Sequence, residues 1–221
     1  MNILVFSDIH GDMEFLSIVE NDIRQADIIM LSGDITHFGR ERQVKKICDT
    51  FTVLNKNLVA IPGNCDYPEV NQYLVKQNMS LDCRFFVQDN IFFMGVGGSL
   101  PCPGKTPNEY SEEDFAVMLD ETVSANSKGL PIILLMHQPP FNTLTDQLSD
   151  GFHLGSHSIR QFVEKYQPLV CFCGHIHESI GIDTIGKTTI VNPGPFNLGR
   201  YTNINVQNNA VSAEIVNIFM T

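Results

Sequence analysis

The sequence predicts an α/β protein in which strands and helices alternate along the chain. Short apolar runs of strand length are followed by segments whose apolar residues recur at helical spacing. This alternation is typical of parallel strands joined by crossover helices. With 43% hydrophobic and 18% charged residues among 221, the chain can bury a proper core, and we expect one domain over residues 1–221.

The first half of the chain holds three strand-helix units. The strands are the apolar runs ILVF at 3–6, IIML at 28–31 and LVAI at 58–61. Each is followed by a segment with one apolar face, made of Phe15, Leu16, Val19 and Ile23, then of Val44, Ile47, Cys48 and Phe51, and then of Val70, Tyr73 and Leu74 near 68–78. Spacings of three and four residues predict helices in all three segments.

A hairpin and two further units are predicted in the second half. Apolar runs at 84–87 and 91–96 flank Gln-Asp-Asn, which predicts the hairpin. Residues 97–110 are rich in Gly and Pro, so we expect a surface loop there. The remaining elements are a helix that starts at the capping box SEED (111–114), a strand at 131–136, a helix bearing Ile159, Phe162, Val163 and Tyr166, a strand at 169–173, and an antiparallel meander from 179 onward.

Charge and composition narrow the classes of partner. The net charge is −11 and the pI is about 4.9, which argues against a nucleic acid or an anionic membrane as the main partner. The sequence has no apolar run of about 18 residues and no basic segment followed by an apolar one at its start. We therefore expect a soluble, cytoplasmic protein whose six cysteines form no disulfide framework. The sequence carries no sign of an oligomeric state.

Polar side chains follow five of the predicted strands at the point where each strand ends. They are Asp8 and His10, then Asp34, Asn64 and His137, and finally His175 and His177. The carboxyl ends of strands are where α/β sheets build their sites, so we expect these seven side chains to lie together. Each short motif alone is common in turns, and the prediction depends on their ordered co-occurrence.

Seven such ligands indicate two metal ions. They are too many for one tetrahedral ion, but they suit two divalent cations that share a carboxylate and keep room for water or substrate. Two cations about 3.5–4 Å apart can activate a bridging hydroxide for in-line attack on phosphorus. Asp34 is the candidate bridge, because a carboxylate has two oxygens. Nitrogen and oxygen ligands admit manganese, iron, zinc, nickel or cobalt.

These motifs resemble those of the calcineurin-like metallophosphoesterases, in particular phosphodiesterase-type members from bacteria and archaea. They read SDIHGD at 7–12, SGDITHFG at 32–39, PGNCD at 62–66, MHQPP at 136–140 and CGHIHE at 173–178. The resemblance implies a four-layer α-β-β-α sandwich with a dinuclear centre. It also implies that one cation binds Asp8, His10, Asp34 and His177, and that the other binds Asp34, Asn64, His137 and His175.

The stretch IPGNCDYP at 61–68 departs from the family pattern at Cys65. Many members carry histidine at that place, where it is thought to protonate the leaving oxygen or to steady the phosphate, although some bacterial and archaeal relatives also have cysteine. A thiol with a pKa of about 8.5 is a poorer proton donor and offers no positive charge. Asp66 is expected to stabilise the turn or the start of the next helix.

Three other histidines stand in predicted loops and are candidates for the missing role. His37 and His157 are interpreted first as exposed loop residues, whereas His153 is left open between the two roles. The candidate catalytic residues are therefore Asp34, Asn64, Cys65 and His153.

The predicted function is a metal-dependent phosphoric ester hydrolase that acts on a small phosphate ester. A phosphodiesterase is favoured over a phosphomonoesterase acting on nucleotides or phosphoproteins, because the histidine is missing at position 65. A non-catalytic protein-binding scaffold on the same fold is the alternative, and it predicts eroded ligands, whereas all seven are present. The loop at 97–110 is expected to shape the pocket wall, but nothing in it names the substrate.

Overall fold

The computed structural model describes residues 1–220, and within them the chain forms eleven strands and five α-helices. The strands are β1 (Asn2–Phe6), β2 (Ile28–Ser32), β3 (Leu58–Ile61), β4 (Arg84–Gln88), β5 (Ile91–Val96), β6 (Ile132–Met136), β7 (Val170–Phe172), β8 (Gly181–Ile185), β9 (Thr188–Asn192), β10 (Arg200–Gln207) and β11 (Ala210–Asn217). The helices are α1 (Leu16–Gln25), α2 (Glu41–Leu54), α3 (Pro68–Lys76), α4 (Glu112–Ser124) and α5 (His157–Tyr166). Across residues 1–220, none of the helices has the length and apolar character that a membrane span requires.

The strands form two mixed sheets. One has five strands in the order β11-β10-β1-β2-β3, and the other has six in the order β4-β5-β6-β7-β9-β8. The runs β1-β2-β3 and β5-β6-β7-β9 are parallel, and the other neighbours are antiparallel. The parallel runs β1-β2-β3 and β5-β6-β7 are those predicted from the alternation of strands and helices, and the β4-β5 hairpin is also where the sequence places it.

The tail of the chain differs from the predicted antiparallel meander. Strands β8 and β9 form a hairpin, but β9 then lies parallel to β7 in the six-stranded sheet. Strands β10 and β11 cross to the five-stranded sheet, where β10 pairs antiparallel with β1. Local β-prone runs predicted the strands correctly, but the sheet that a strand joins is decided by packing against distant partners.

Three apolar layers hold the sheets and helices together. In the middle layer, Val5 and Met30 of the five-stranded sheet are buried with Phe93 and Phe172 of the six-stranded sheet. Helices α1, α2 and α3 cover the outer face of the five-stranded sheet, and α4 and α5 cover that of the six-stranded sheet. The order of layers is therefore α-β-β-α, which confirms the fold that the resemblance implied.

The two sheets are joined directly at the ends of their central strands. Ser32 is the last residue of β2, and its hydroxyl donates to the carbonyl of Met136, the last residue of β6, at 2.5 Å. This contact sets the end of a strand in one sheet beside the end of a strand in the other. Residues that follow β1, β2 and β3 consequently meet residues that follow β6 and β7.

Candidate metal centre

One group of predicted ligands comes from the ends of β1, β2 and β7. The His177 Nε2 atom lies 3.2 Å from Asp8 Oδ1 and 3.3 Å from His10 Nε2. The His10 Nε2 atom lies 3.7 Å from Asp34 Oδ2. The donor atoms of Asp8, His10 and His177 all lie within 4.8 Å of one another, a separation compatible with a shared ion. The structure thus brings together the four side chains predicted for the first cation.

A second group gathers around His137, which follows β6. Its Nε2 atom lies 3.0 Å from Asn64 Oδ1 and 3.5 Å from Asp34 Oδ1. Asp34 therefore turns one oxygen toward each group, which is the geometry that a bridging carboxylate requires. Asp34 thus lies between the two sets of donors, and its role as a bridge stays a prediction.

His175 is close to this group but lies at its edge. Its ring is 5.2 Å from that of His137, centroid to centroid, and its backbone N–H donates to Asp8 Oδ2 at 3.2 Å. Its Nε2 atom, however, lies 3.7 Å from the Cys102 thiol. Of the seven predicted ligands, His175 is thus the one whose ring contacts a side chain that the sequence did not single out.

The surroundings of His137 indicate which of its two ring nitrogens could hold a cation. Its Nδ1 atom lies 2.8 Å from the carbonyl oxygen of Ser32, which accepts hydrogen bonds and donates none, so Nδ1 carries the proton. In the neutral ring Nε2 then holds a lone pair, and it faces the acceptor oxygens of Asn64 and Asp34. A cation among these three atoms would satisfy all of them. In metal-bound histidines, the ring nitrogen that does not bind the metal commonly donates to a carbonyl or carboxylate, as Nδ1 of His137 does here.

Burial and neighbouring charges set the protonation of the group. Burial raises the pKa of Asp8, but the hydrogen bond from His177 and the charges of nearby histidines outweigh it, and the pKa is lowered. Burial, helped by the charge of Asp8, raises the pKa of Asp34. Burial lowers the pKa of His10, and it lowers that of His175 to about 3. Both histidines are consequently neutral near pH 7, the form that binds metal ions.

Four of the predicted ligands have a left-handed backbone conformation. The φ angles are 51° at Asp8, 49° at His10, 46° at Asp34 and 66° at His175. Residues other than glycine seldom adopt this left-handed conformation, and each instance costs about 1–3 kcal/mol. Four of seven predicted ligands share it, which is expected where side chains are held for function rather than for stability.

Two motif glycines allow the backbone to approach the carboxylates. A Cβ atom on Gly63 would lie 2.1 Å from both the backbone nitrogen and the Oδ1 atom of Asp34. A Cβ atom on Gly174 would lie 1.8 Å from Ser7 Oγ and 2.5 Å from Asp8 Oδ2. Ser7 itself donates to Asp8 Oδ2 at 2.6 Å. Glycine is therefore required at these positions by space.

Three consecutive residues in the stretch at 61–68 have different contacts. Asn64 joins the His137 group as described, and the backbone N–H of Cys65 donates to Asp34 Oδ1 at 2.8 Å. The Cys65 thiol is buried, within 4.8 Å of donor atoms of His10 and Asp34, and burial and the charge of Asp34 raise its pKa. Asp66 accepts from the backbone of Gly63 at 2.9 Å and from residues of the β2 loop, so it stabilises the turn.

His37 and His153 lie in loops as predicted, whereas His157 is the first residue of helix α5. The Nδ1 atom of His153 pairs with the buried carboxylate of Asp146 at 2.8 Å, so its contact is with its own loop, and its catalytic role stays a prediction. His157 is exposed and its ring lies 3.9 Å from that of Phe141. His37 is also exposed, as expected, but its ring lies 5.5 Å from that of His10.

Sequence reasoning missed two residues of the loop at 97–110. Cys102 contacts His175, as noted above, and Asn108 donates its side-chain N–H to the carbonyl of Gly63 at 3.1 Å. Glu109 holds the loop by accepting from the backbone N–H of Cys102 at 3.1 Å and of Thr106 at 2.6 Å. The Gly and Pro content predicted a loop over the strand ends, but no local pattern shows which of its side chains reaches the ligands.

Comparisons with known proteins place the chain among phosphoesterases. A family model described as calcineurin-like phosphoesterase matches residues 1–179. An uncharacterized protein of Methanocaldococcus jannaschii is 39% identical over 200 residues, which are 88% of each chain. A probable glycerophosphodiester phosphodiesterase of Arcobacter nitrofigilis is 24% identical over 77% of this chain and 64% of its own length. A crystal structure of a Thermus thermophilus protein shares the fold, with a TM-score of 0.77 and 20% identity over 98% of both chains.

Replacement of Gly63 by alanine is expected to weaken metal binding. The new Cβ would displace Asp34, and residues that support a ligand typically change metal affinity about 10–100-fold. Isothermal titration with Mn²⁺ measures the change. Gly104→Ala is the matched control, since its Cβ would meet no atom within 4 Å. Equal affinity of the two folded variants would show that the close approach at Asp34 does not matter.

Proposed function

Since the chain belongs to the calcineurin-like phosphoesterase family, we propose that it hydrolyses phosphate esters with the help of bound divalent cations. We further propose two cations that share Asp34. One is held by Asp8, His10, Asp34 and His177, and the other by Asp34, Asn64, His137 and His175.

The observation that carries the proposal is the meeting of lone pairs at His137. Its Nε2 atom lies 3.0 Å from the Asn64 Oδ1 atom and 3.5 Å from the Asp34 Oδ1 atom, so three atoms that can bind a cation meet at one place. The His10 Nε2 atom adds to this, because it lies 3.3 Å from His177 Nε2 and 3.7 Å from Asp34 Oδ2. Carboxylate, imidazole and amide donors together fit borderline divalent cations. The donor set therefore fits the proposed ions.

Bound cations at such a site supply Lewis acidity toward phosphoryl oxygens and make water a better nucleophile at neutral pH. The protein holds the donors in place before any ester arrives. Ser7 and the backbone N–H of His175 fix the Asp8 carboxylate, and the backbone N–H of Cys65 fixes that of Asp34. His177 is 45% exposed, whereas Asp8 and Asp34 are buried, so the ester approaches from the His177 side.

Phosphodiesters are the favoured substrate class. The Cys65 thiol has a raised pKa and carries no positive charge, so it does little to assist a poor leaving group or to neutralise the second charge of a monoester. The Arcobacter nitrofigilis relative is named a probable glycerophosphodiester phosphodiesterase, which is consistent with a diester substrate. Manganese is the first cation to test, although the donors also admit iron, zinc, nickel or cobalt. The cytoplasmic location stays a prediction from the sequence.

A binding scaffold without activity is the less favoured alternative. A scaffold that binds no metal would not need the seven ligand residues. All seven are present, and their contacts form one continuous set. The net charge of −11 continues to argue against nucleic acid as the substrate.

Metal removal is expected to abolish turnover. Protein stripped with a chelator should be inactive, and Mn²⁺ should restore hydrolysis of an activated aryl phosphodiester more than of the matching monoester.

Asp34→Asn should lose activity at least about 100-fold and weaken the binding of both cations, because it removes a charge that each group uses. Steady-state rates and bound manganese per chain are the measurements. Near-normal turnover of Asp34→Asn with two bound ions would contradict the bridge.

Replacement of Cys65 by the histidine that many family members carry is expected to change the leaving-group preference of the enzyme. Cys65→His should raise kcat/KM about tenfold or more for esters with poor leaving groups and little for activated ones, because general acids matter most where the leaving oxygen is basic. Cys65→Ser is the control, and its effect should be mild. A plot of log kcat/KM against leaving-group pKa measures the slope in each variant. Equal slopes in all three proteins would rule out a proton-donor role for this position.

A further inference from the structure

The Gly- and Pro-rich loop after β5 holds Cys102 beside the predicted ligand His175. The Glu109 carboxylate accepts from the backbone N–H of Cys102 at 3.1 Å, so it closes the loop on itself. The loop is also tied to the ligand that follows β3, because the backbone N–H of Asn108 donates to the carbonyl of Asn64 at 3.2 Å. The Cys102 side chain is therefore held at a defined place next to the site.

The hydrogen of the Cys102 thiol has oxygen acceptors within the same loop. The Sγ atom lies 3.4 Å from the carbonyl oxygen of Leu100 and 3.4 Å from the Ser99 Oγ atom. The Ser99 hydroxyl donates its own hydrogen to the Leu100 carbonyl at 2.8 Å, so its oxygen can accept from the thiol. When the thiol donates to either oxygen, its sulfur keeps its lone pairs for another donor.

The neighbouring donor is the ring of His175. Its Nε2 atom lies 3.7 Å from Cys102 Sγ, a separation that suits an N–H···S hydrogen bond because sulfur is larger than oxygen. A neutral imidazole carries one proton, so a ring that is protonated on Nε2 has its lone pair on Nδ1. The two nitrogens point in different directions from the ring, and Nδ1 therefore faces away from the thiol.

His137 shows the same arrangement with its two nitrogens exchanged. Its Nδ1 atom donates to the carbonyl of Ser32 at 2.8 Å, and its Nε2 atom is left for a cation. The rings of His137 and His175 lie 5.2 Å apart, centroid to centroid, so both border the same group of donors. In each ring one nitrogen contacts the protein and the other is turned away from that contact.

We propose that Cys102 is a positioning residue for the second cation. Its sulfur accepts the Nε2–H of His175 and so presents Nδ1 of that ring to the ion. This inference rests on the proposed function, of which the second cation is a part. Groups that orient a metal-bound histidine from its far nitrogen typically change metal affinity about 10–100-fold.

Long-range ¹H–¹⁵N correlation spectra of the metal-free full chain test the hydrogen bond itself. A spectrum of His175→Asn assigns the signals of His175. The wild type should show a proton on Nε2, and the resonance of this proton should shift or exchange away in Cys102→Ala. Cys83→Ala removes an exposed thiol outside the site and should leave the resonance unchanged. A proton on Nδ1 of His175, or a resonance that is the same in Cys102→Ala, would overturn the proposal without bearing on ester hydrolysis.

Isothermal titration with Mn²⁺ tests the consequence for the ion. Cys102→Ala should weaken the second Mn²⁺ about 10–100-fold and leave the first within about twofold, because Cys102 contacts His175 alone among the seven predicted ligands. Cys102→Ser keeps an acceptor and should lose less, and Cys83→Ala should match the wild type. Equal affinity of Cys102→Ala and the wild type for both ions would overturn the proposal. A wild type that binds one ion would contradict the second cation and this inference with it, whatever the spectra show.

Substitution with Co²⁺ separates positioning from direct ligation. A thiolate bound to Co²⁺ gives an intense charge-transfer absorption in the near ultraviolet. The difference between the spectra of the wild type and Cys102→Ala should contain no such band. A band that is lost in Cys102→Ala would show that Cys102 binds the ion itself, which would overturn its assignment as a positioning residue.

Discussion

Two buried carboxylates, Asp8 and Asp34, share one site with imidazoles that present lone pairs, and the rest of the structure depends on this concentration of negative charge. Both side chains are almost completely buried, and burying an uncompensated charge is costly. The acceptor oxygen of Asn64 lies only 3.0 Å from the lone pair of His137. A cation bound among these side chains would relieve both problems.

The fold supplies the positions that this site requires. Parallel strands of both sheets end at the same place, and the hydroxyl of Ser32 ties the end of β2 to the end of β6. The backbone then bends through left-handed conformations at Asp8 and Asp34, and Gly63 lets the third loop approach within contact of Asp34. The cost of these strained positions is offset by the three apolar layers, which include neighbours of the ligands such as Ile9 and Ile35.

The sequence predicted most of this site because its signals are local. Apolar runs such as those before Asp8 and Asp34 mark strand ends, and side chains at strand ends meet by geometry alone. The sheet that β10 joins could not be predicted, since its pairing with β1 depends on contacts about two hundred residues apart. The approach of Cys102 to His175 escaped prediction for a similar reason, because the path of an irregular loop is set by contacts such as those of Glu109.

We propose that one cation is held among His137, Asn64 and Asp34, and that Asp34 shares in holding a second with Asp8, His10 and His177. Anomalous diffraction from crystals grown with Mn²⁺, recorded on both sides of the manganese absorption edge, tests this claim directly. The account predicts two anomalous peaks, one at each group, with Asp34 in contact with both. Full manganese occupancy elsewhere, with no peak between His137 and Asn64, would contradict it.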